Sequence, residues 1–116
     1  MKLPNAENVI IAEEKITRYL LCLEHPRGGS KARFFHLHGF RPRAWMMLAN
    51  ALRAHAADYD VTAVEDVDYG VDYVVEGPLA TPNGKAPWVR VVWAILEGQD
   101  TPRLVTAYPC KRRIDT

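Results

Sequence analysis

The chain has 116 residues and carries 15 lysines and arginines against 14 aspartates and glutamates, for a formal net charge of +1. This length favours one domain, and this balance excludes a protein that is strongly charged overall. Hydrophobic residues make up 48% and charged residues 25% of the chain, which is typical of a globular domain and excludes the collagen-like and disordered classes.

The first part of the chain, about residues 9–58, is predicted to be helical. Apolar residues at helical spacing predict a first helix over residues 13–23; they are Ile16, Tyr19, Leu20 and Leu23. A second helix is predicted over residues 31–38, with Ser30 as its N-cap and Gly39 as the left-handed residue that ends it. The side chains expected to face inward from this second helix are Phe34 and Leu37.

A third helix is predicted to begin at Pro42, which suits a first helical turn, and to end near Asp58. Its continuous apolar stripe consists of Trp45, Leu48, Ala49, Leu52 and Ala56. On this pattern we expect His55 to lie on the exposed side of the helix.

Residues from about 61 to 109 alternate in the manner of four β-strands joined by short turns. The turns are marked by residues that tolerate positive φ angles, namely Gly70, Asn83-Gly84 and Gly98. The third strand is apolar on both faces, so we expect a central strand that is covered on both sides. Strict alternation places Leu104, Thr106 and Tyr108 on one face of the last strand.

Because the helices precede the strands and do not alternate with them, the expected fold class is α+β. We expect about three N-terminal helices packed on one face of a four-stranded antiparallel meander. The whole chain, 1–116, is expected to be a single domain that ends in a short basic tail at 110–116.

The charges are segregated along the chain despite the small net charge. Residues 25–43 include five lysines and arginines and no acid, whereas residues 59–77 include six acids and no lysine or arginine. The C-terminal stretch is basic again through Arg103, Lys111, Arg112 and Arg113. One hypothesis is that the two basic segments converge on an anionic ligand, most naturally the phosphates of a nucleic acid. The alternative is that basic helices and acidic strands neutralise each other or simply face water.

A glycine-rich loop, His25-Pro26-Arg27-Gly28-Gly29-Ser30-Lys31, leads into the N-terminus of the second helix. Free backbone N–H groups and the helix dipole favour anions at such a position, although the spacing is not that of a P-loop. The residues expected to contact the anion are Arg27, Gly28, Gly29, Ser30 and Lys31. The alternative is a tight turn in which the glycines serve conformation and the serine caps the helix.

His25 lies at the edge of this loop, where a group that titrates near neutral pH could act as a general acid or base. Thr106 and Tyr108 could both address a bound ligand from the last strand, and Arg103 could reach around its edge. The alternative is that Tyr108 packs under the helices and Thr106 is only a good strand former.

No metal or other cofactor is expected. His36 and His38 are two positions apart, so on a helix they point in different directions and cannot chelate one metal. Cys22 and Cys110 are too few for a disulfide scaffold or a four-cysteine zinc site. No apolar run is long enough to span a membrane, and the start has no signal-peptide pattern, so we expect a cytoplasmic protein.

Several blocks of the sequence together resemble an uncharacterised bacterial family, a domain of unknown function. The blocks are LPNAENVII, EHPRGGSKARFF, VVEGPLATPNGKAP after the hairpin at Tyr69-Gly70, VRVVW and PRLVTAYP, and the resemblance spans about residues 2–109. Members are commonly labelled hypothetical protein or adhesin, and related modules stand alone or end larger secreted polymorphic toxins. The resemblance therefore implies a toxin or a toxin-like domain.

At fold level, the order of helices and meander is also similar to the metal-independent ribonucleases that include barnase, EndoU and the RelE toxins. Members of the family usually have a basic residue and a histidine before the helical lysine, where this chain has Gly29-Ser30. If that histidine is catalytic in relatives, this copy is impaired or relies on His25.

The leading hypothesis is a metal-independent endoribonuclease-like toxin domain. Such chemistry needs a base for the ribose 2′-hydroxyl, an acid for the leaving oxygen and cations for the charge that develops on phosphorus. The residues assigned to catalysis are His25 as acid or base, Lys31 as a phosphate stabiliser, and Tyr108 as a proton relay. The residues assigned to substrate binding are Arg27, Gly28, Gly29, Ser30, Arg103 and Thr106.

Two rival hypotheses remain open. The first is a non-catalytic interaction module that binds a protein partner, such as a cognate antitoxin or immunity protein. The second is a binder of small anions at the Gly28-Gly29 loop.

Overall fold

The helices come first in the chain and the strands follow, as the segregated periodicities predict. The computed structural model describes residues 1–112, so the end of the predicted basic tail, including Arg113, lies outside the described residues. The helical segments are α1 (Glu13–Lys15), which continues into a π-helical segment (Ile16–Leu20), then α2 (Gly29–Leu37) and α3 (Trp45–Asp58). Short 3₁₀ turns lie at Ala6–Asn8 and Pro42–Ala44.

The four strands form one antiparallel sheet in the order β1-β2-β3-β4. They are β1 (Val61–Val67), β2 (Gly70–Pro78), β3 (Trp88–Leu96) and β4 (Arg103–Pro109). The first turn requires its glycine, because Gly70 has a φ of 151° and a Cβ there would lie 2.2 Å from the Ile95 carbonyl oxygen. The predicted α+β class and the meander are therefore confirmed.

The core lies between the helices and one face of this sheet. The α3 stripe behaves as predicted, because Leu48, Ala49, Leu52 and Ala56 are all fully buried. They belong to the same cluster as the inward side chains of the sheet, which include Val75, Val89, Val91, Trp93 and Ala107. Burial of apolar surface on this scale is the dominant favourable term in folding.

Two expectations about the helices are wrong. His55 is 2% exposed, and its Nε2 lies 3.1 Å and 3.2 Å from the carbonyl oxygens of Gly77 and Val89. His55 was predicted to be exposed because it is polar, but its ring is buried and hydrogen-bonds these carbonyls. On α2, Phe35 is fully buried and Leu37 is 76% exposed, so the buried side of α2 is rotated relative to the prediction.

A break in the alternation of β4 decides which of its side chains leave the core. Trp93 pairs with Leu104 and Val92 pairs with Thr106, so Val105 is an extra residue in a β-bulge. Leu104 therefore faces the core, whereas Thr106 and Tyr108 face the opposite side. The prediction that these three side chains share one face is wrong, because strict alternation does not anticipate a bulge.

Candidate active site

Polar side chains cross the sheet on the face that the helices leave open. Glu76, Arg90 and Tyr108 are register partners on β2, β3 and β4, and we refer to them as the cross-strand row. Arg90 donates to Glu76 Oε2 from Nη2 at 2.9 Å and from Nε at 3.1 Å. On the outer face of β3, Trp88, Arg90 and Val92 are only partly buried, contrary to the expectation of a strand covered on both sides.

The π-helical segment brings a second tyrosine to the edge of this row. The Leu21 N–H donates to the Ile16 carbonyl at 2.8 Å, a bond that spans five residues where an α-helix spans four. Tyr19, within this wide turn, is only partly buried, and its hydroxyl lies 2.8 Å from Thr106 Oγ1 on β4. The wide turn therefore connects the first helix to the middle of β4 through Thr106.

A lysine lies between the two tyrosines. Lys31 Nζ is 5.5 Å from the ring centroid of Tyr19 and 5.9 Å from the ring centroid of Tyr108, and it also hydrogen-bonds the Tyr19 hydroxyl. Arg90 Cζ is 5.7 Å from the centroid of the Tyr108 ring. Two cations and two phenols thus lie next to one another, and we refer to Tyr19, Lys31, Tyr108 and Arg90 as the phenol–cation cluster.

These contacts change the ionisation of the cluster. Burial raises the pKa of the Tyr19 phenol, but the hydrogen bonds with Thr106 and Lys31 and the nearby positive charges outweigh it, so this pKa lies below its ordinary value of 10.0. Hydrogen bonds with Tyr108 and Glu76 raise the pKa of Arg90, so its guanidinium is always a cation. The cluster therefore favours the phenolate of Tyr19 next to permanent positive charge.

The glycine-rich loop supports Tyr19 from the other side. His25 Nδ1 accepts the N–H groups of Arg27 and Gly28 at 3.0 Å and 2.9 Å. An imidazole nitrogen that accepts must be unprotonated, so the ring proton is on Nε2. The His25 ring contacts the Tyr19 ring edge to face at 5.0 Å. His25 is thus held as a loop cap, and Nδ1 is not available as a base.

The two glycines of the loop allow close approach, and neither has a positive φ. A Cβ on Gly28 would lie 2.8 Å from Tyr19 Cδ1, and one on Gly29 would lie 3.0 Å from the Leu23 carbonyl oxygen. Ser30 makes no side-chain cap, because α2 begins at Gly29. The expectation that the glycines serve turn conformation and that Ser30 caps the helix is therefore wrong.

Three depressions surround the phenol–cation cluster. A cleft of about 560 Å³ lies along the Tyr19 side; its lining includes Lys15, Arg18, Tyr19, His25, Arg27 and Thr106. A smaller one of about 410 Å³ is lined by Ser30, Lys31, Tyr108 and Pro109. A third, of about 320 Å³, extends over the sheet from Arg90 and Tyr108 towards β1.

Most of the sequence-predicted site residues come together here, namely His25, Arg27, Gly28, Ser30, Lys31, Thr106 and Tyr108. Gly29 contacts the backbone at Leu23 instead. Arg103 is not brought to the cluster, because it lies at the other end of β4 and its Nη2 is 3.4 Å from Gln99 Oε1. Sequence reasoning missed Tyr19, Arg90 and Glu76 as site residues.

The basic segment 25–43 is not neutralised by direct contact with the acidic strands. Within residues 1–112 the ion pairs are Lys2 with Asp60 and Arg90 with Glu76, and neither involves this segment. Of the C-terminal cations, Arg112 lies over the ring of Trp88 at 5.4 Å.

Among the described residues, no group of three or more His, Cys, Asp or Glu side chains could hold a metal ion. None of the helices within residues 1–112 has the length and apolar character of a membrane-spanning segment.

Comparison with protein families decides the membership that the sequence blocks suggested. The model of a family described as domain of unknown function (DUF6883) matches residues 2–111. The chain belongs to this DUF6883 family. A comparison of this DUF6883 chain with the curated proteins finds no match.

Among solved structures, the DUF6883 chain is similar to a chain of a "Contact-dependent growth inhibition toxin - immunity protein complex from Klebsiella pneumoniae 342". The TM-score is 0.70 at 16% sequence identity, and the match covers 92% of the DUF6883 chain and 97% of the other chain. At this identity the likeness shows that the two chains share a fold.

Proposed function

We propose that this chain is a metal-independent endoribonuclease-like toxin domain that acts on RNA in the cytoplasm of a target cell. The observation that carries the proposal is Lys31, which lies between the Tyr19 and Tyr108 rings at 5.5 Å and 5.9 Å. A cation held between two phenols supplies positive charge for a phosphate and hydroxyl groups for proton transfer, next to a cleft. The shared fold with a chain from a toxin–immunity complex supports a domain of toxin or immunity type.

The cluster can perform the transesterification that cleaves RNA without a metal. The Tyr19 phenolate accepts the proton of the ribose 2′-hydroxyl, and the freed oxygen forms a bond to phosphorus. Lys31 and Arg90 stabilise the negative charge on the phosphate oxygens. The bond from phosphorus to the 5′-oxygen breaks, and the Tyr108 hydroxyl donates its proton to that oxygen. The products are a 2′,3′-cyclic phosphate and a 5′-hydroxyl end.

The other loop residues support this chemistry indirectly. We assign His25 to positioning, because its Nδ1 holds the loop and its ring contacts Tyr19. Arg27 lines the same cleft as Tyr19 and would bind a neighbouring phosphate. Thr106 orients the Tyr19 hydroxyl through their hydrogen bond.

The proposal is tested by incubating the purified protein with total RNA in the presence of a chelator. We expect cleavage to persist with chelator and to fall about 10²–10³-fold in Lys31→Ala, the usual effect of removing one donor to a developing oxyanion. Lys85→Ala is the matched control, because it removes an exposed lysine from the loop between β2 and β3. His25→Ala should lose less activity than Lys31→Ala. Inert wild-type protein, or equal activity of the two lysine variants, would refute the proposal.

A second candidate function is a non-catalytic module that pairs with an immunity or antitoxin-type partner. The observation in its favour is that the similar solved chain comes from a complex of a toxin with its immunity protein. This function predicts a stable complex with the product of a neighbouring gene and no RNA cleavage. Co-expression followed by size-exclusion chromatography, together with the RNA assay, separates the two functions.

A further inference from the structure

A basin of about 320 Å³ opens on the sheet face next to the phenol–cation cluster. Its floor includes the paired side chains of Val74 and Val92. The cross-strand row lines it, and across the floor stand Glu65 and Asp72, which are register partners on β1 and β2. The basin therefore has an apolar floor, a wall formed by Tyr108 and the Arg90–Glu76 ion pair, and an opposing wall of two carboxylates.

The carboxylate wall is costly to the fold, which suggests that it has another use. Side chains that are directly opposite on neighbouring strands lie about 4.5–5.5 Å apart at Cβ, and like charges in such pairs are destabilising. The stretch 59–77, which contains both carboxylates, has no lysine or arginine. Asp72 accepts the Tyr69 hydroxyl at 3.0 Å and 3.1 Å, which uses only part of the acceptor capacity of a carboxylate.

The three surfaces of the basin match one class of ligand. An apolar floor accepts the flat face of a nucleobase, and the wall with Arg90 and Tyr108 places its phosphate in the phenol–cation cluster. The carboxylates accept hydrogen bonds and donate none, so they select a base edge that carries adjacent donors. Guanine presents N1–H next to its N2 amino group, whereas adenine, cytosine and uracil present acceptors beside their single donor group.

We infer that this basin recognises guanine in RNA, with Glu65 and Asp72 as the specificity-determining residues. The inference rests on the proposed function, because it names the base next to the phosphate that the cluster attacks. Asp72 and Glu76 lie on the same strand, β2, and Glu65 and Arg90 are their register partners, so recognition does not require a loop to move.

The test is binding of the four nucleoside 3′-monophosphates, measured by calorimetry or by amide chemical-shift titration. We expect guanosine 3′-monophosphate to bind the wild type about tenfold or more tightly than the other three, the discrimination of one bidentate pair. The double variant Glu65→Gln with Asp72→Asn should lose that preference and keep the common phosphate-dependent affinity. Asp66→Asn is the matched control, because Asp66 follows Glu65 on β1 and its side chain points to the opposite face.

The outcomes separate this inference from the proposed function. A guanosine preference that the double variant abolishes supports the basin even if RNA is not cleaved, in which case only the proposed function fails. Cleavage of RNA without preference for guanosine overturns the inference and leaves the proposed function intact. Equal binding of the four nucleotides, no binding at all, or a preference that persists in the double variant also overturns it.

Discussion

Replacing Tyr19 by phenylalanine removes one hydroxyl and leaves the ring in its place beside Gly28 and His25. The pKa of Tyr19 is lowered because the hydrogen bonds with Thr106 and Lys31, and the nearby positive charge, outweigh the effect of burial. Among the five tyrosines of the chain, we therefore expect Tyr19 to lose its proton at lower pH than an ordinary phenol. Tyr19→Phe should remove that early step from the titration.

The cost in stability can be worked from the same contact. The bond between the Tyr19 hydroxyl and Thr106 Oγ1 is 2.8 Å long and partly buried, and such a bond contributes about 0.5–1.5 kcal/mol net. A change of 1 kcal/mol lowers the melting temperature of a domain of this size by about 4 °C. If Tyr19 is the base, activity on RNA should fall much further, by about 10²–10⁴-fold.

Near-ultraviolet absorbance of the phenolates, followed against pH, is the assay. Thr106→Val and Lys31→Met should each move the early step to higher pH, because each removes a group that favours the Tyr19 phenolate. Tyr69→Phe is the control. Burial, its hydrogen bond with Asp72 and the nearby acids all raise the pKa of Tyr69, so that variant should lose a late step instead. An early step that survives in Tyr19→Phe would refute the reasoning.

Three further predictions follow from the packing. Burial lowers the pKa of His55 below 6.5 although its backbone hydrogen bonds raise it, so the folded state binds fewer protons and its stability falls as pH drops below about 6.5. The difference in unfolding free energy between wild type and His55→Gln should therefore narrow with falling pH. If unfolding free energy plotted against pH gives parallel curves for the two proteins, the prediction is wrong. Gly28→Ala should lower the free energy of unfolding by about 1–3 kcal/mol by overpacking against the Tyr19 ring, and it should shift the pH titration of Tyr19. An unfolding free energy that chemical denaturation finds unchanged would count against this prediction. Arg90→Ala should lower the free energy of unfolding by about 3–5 kcal/mol, because Glu76, whose side chain is 3% exposed, loses its ion-pair partner. Adding Glu76→Gln to Arg90→Ala should restore part of that stability. A double variant no more stable than Arg90→Ala would show the reasoning to be wrong.

The elements that repeat a single period could be predicted from the sequence. The α3 stripe repeats every three or four residues from Leu48 to Ala56, and the hairpin turn at Gly70 requires a backbone that only glycine adopts there. Prediction failed where the period changes and where a polar residue occupies a buried position of the period. The extra residue Val105 reverses the faces of β4, and the buried ring of His55 next to Leu52 follows the helix period but not the usual polarity of its type.

The candidate site was predictable at the glycine-rich loop and at Thr106 and Tyr108, and it was missed at Tyr19, Arg90 and Glu76. The glycine-rich loop carries Lys31, and its basic character identifies it without a structure. Arg90 and Glu76 lie 14 positions apart and look like ordinary alternating strand residues until the register of β2 and β3 pairs them. Tyr19 was counted with the apolar stripe of its helix, because nothing in that pattern signals a π-helical turn.

The wide turn at Ile16–Leu20 makes the whole arrangement sensitive to a single codon. A π-helical turn contains one residue more than an α-helical turn, so loss of one residue between Ile16 and Leu21 could restore an ordinary helix with its backbone bonds intact. Such a deletion would rotate Tyr19 by about 100° around the helix axis. An in-frame loss of three nucleotides therefore offers a route by which a lineage could retain this fold while discarding its chemistry.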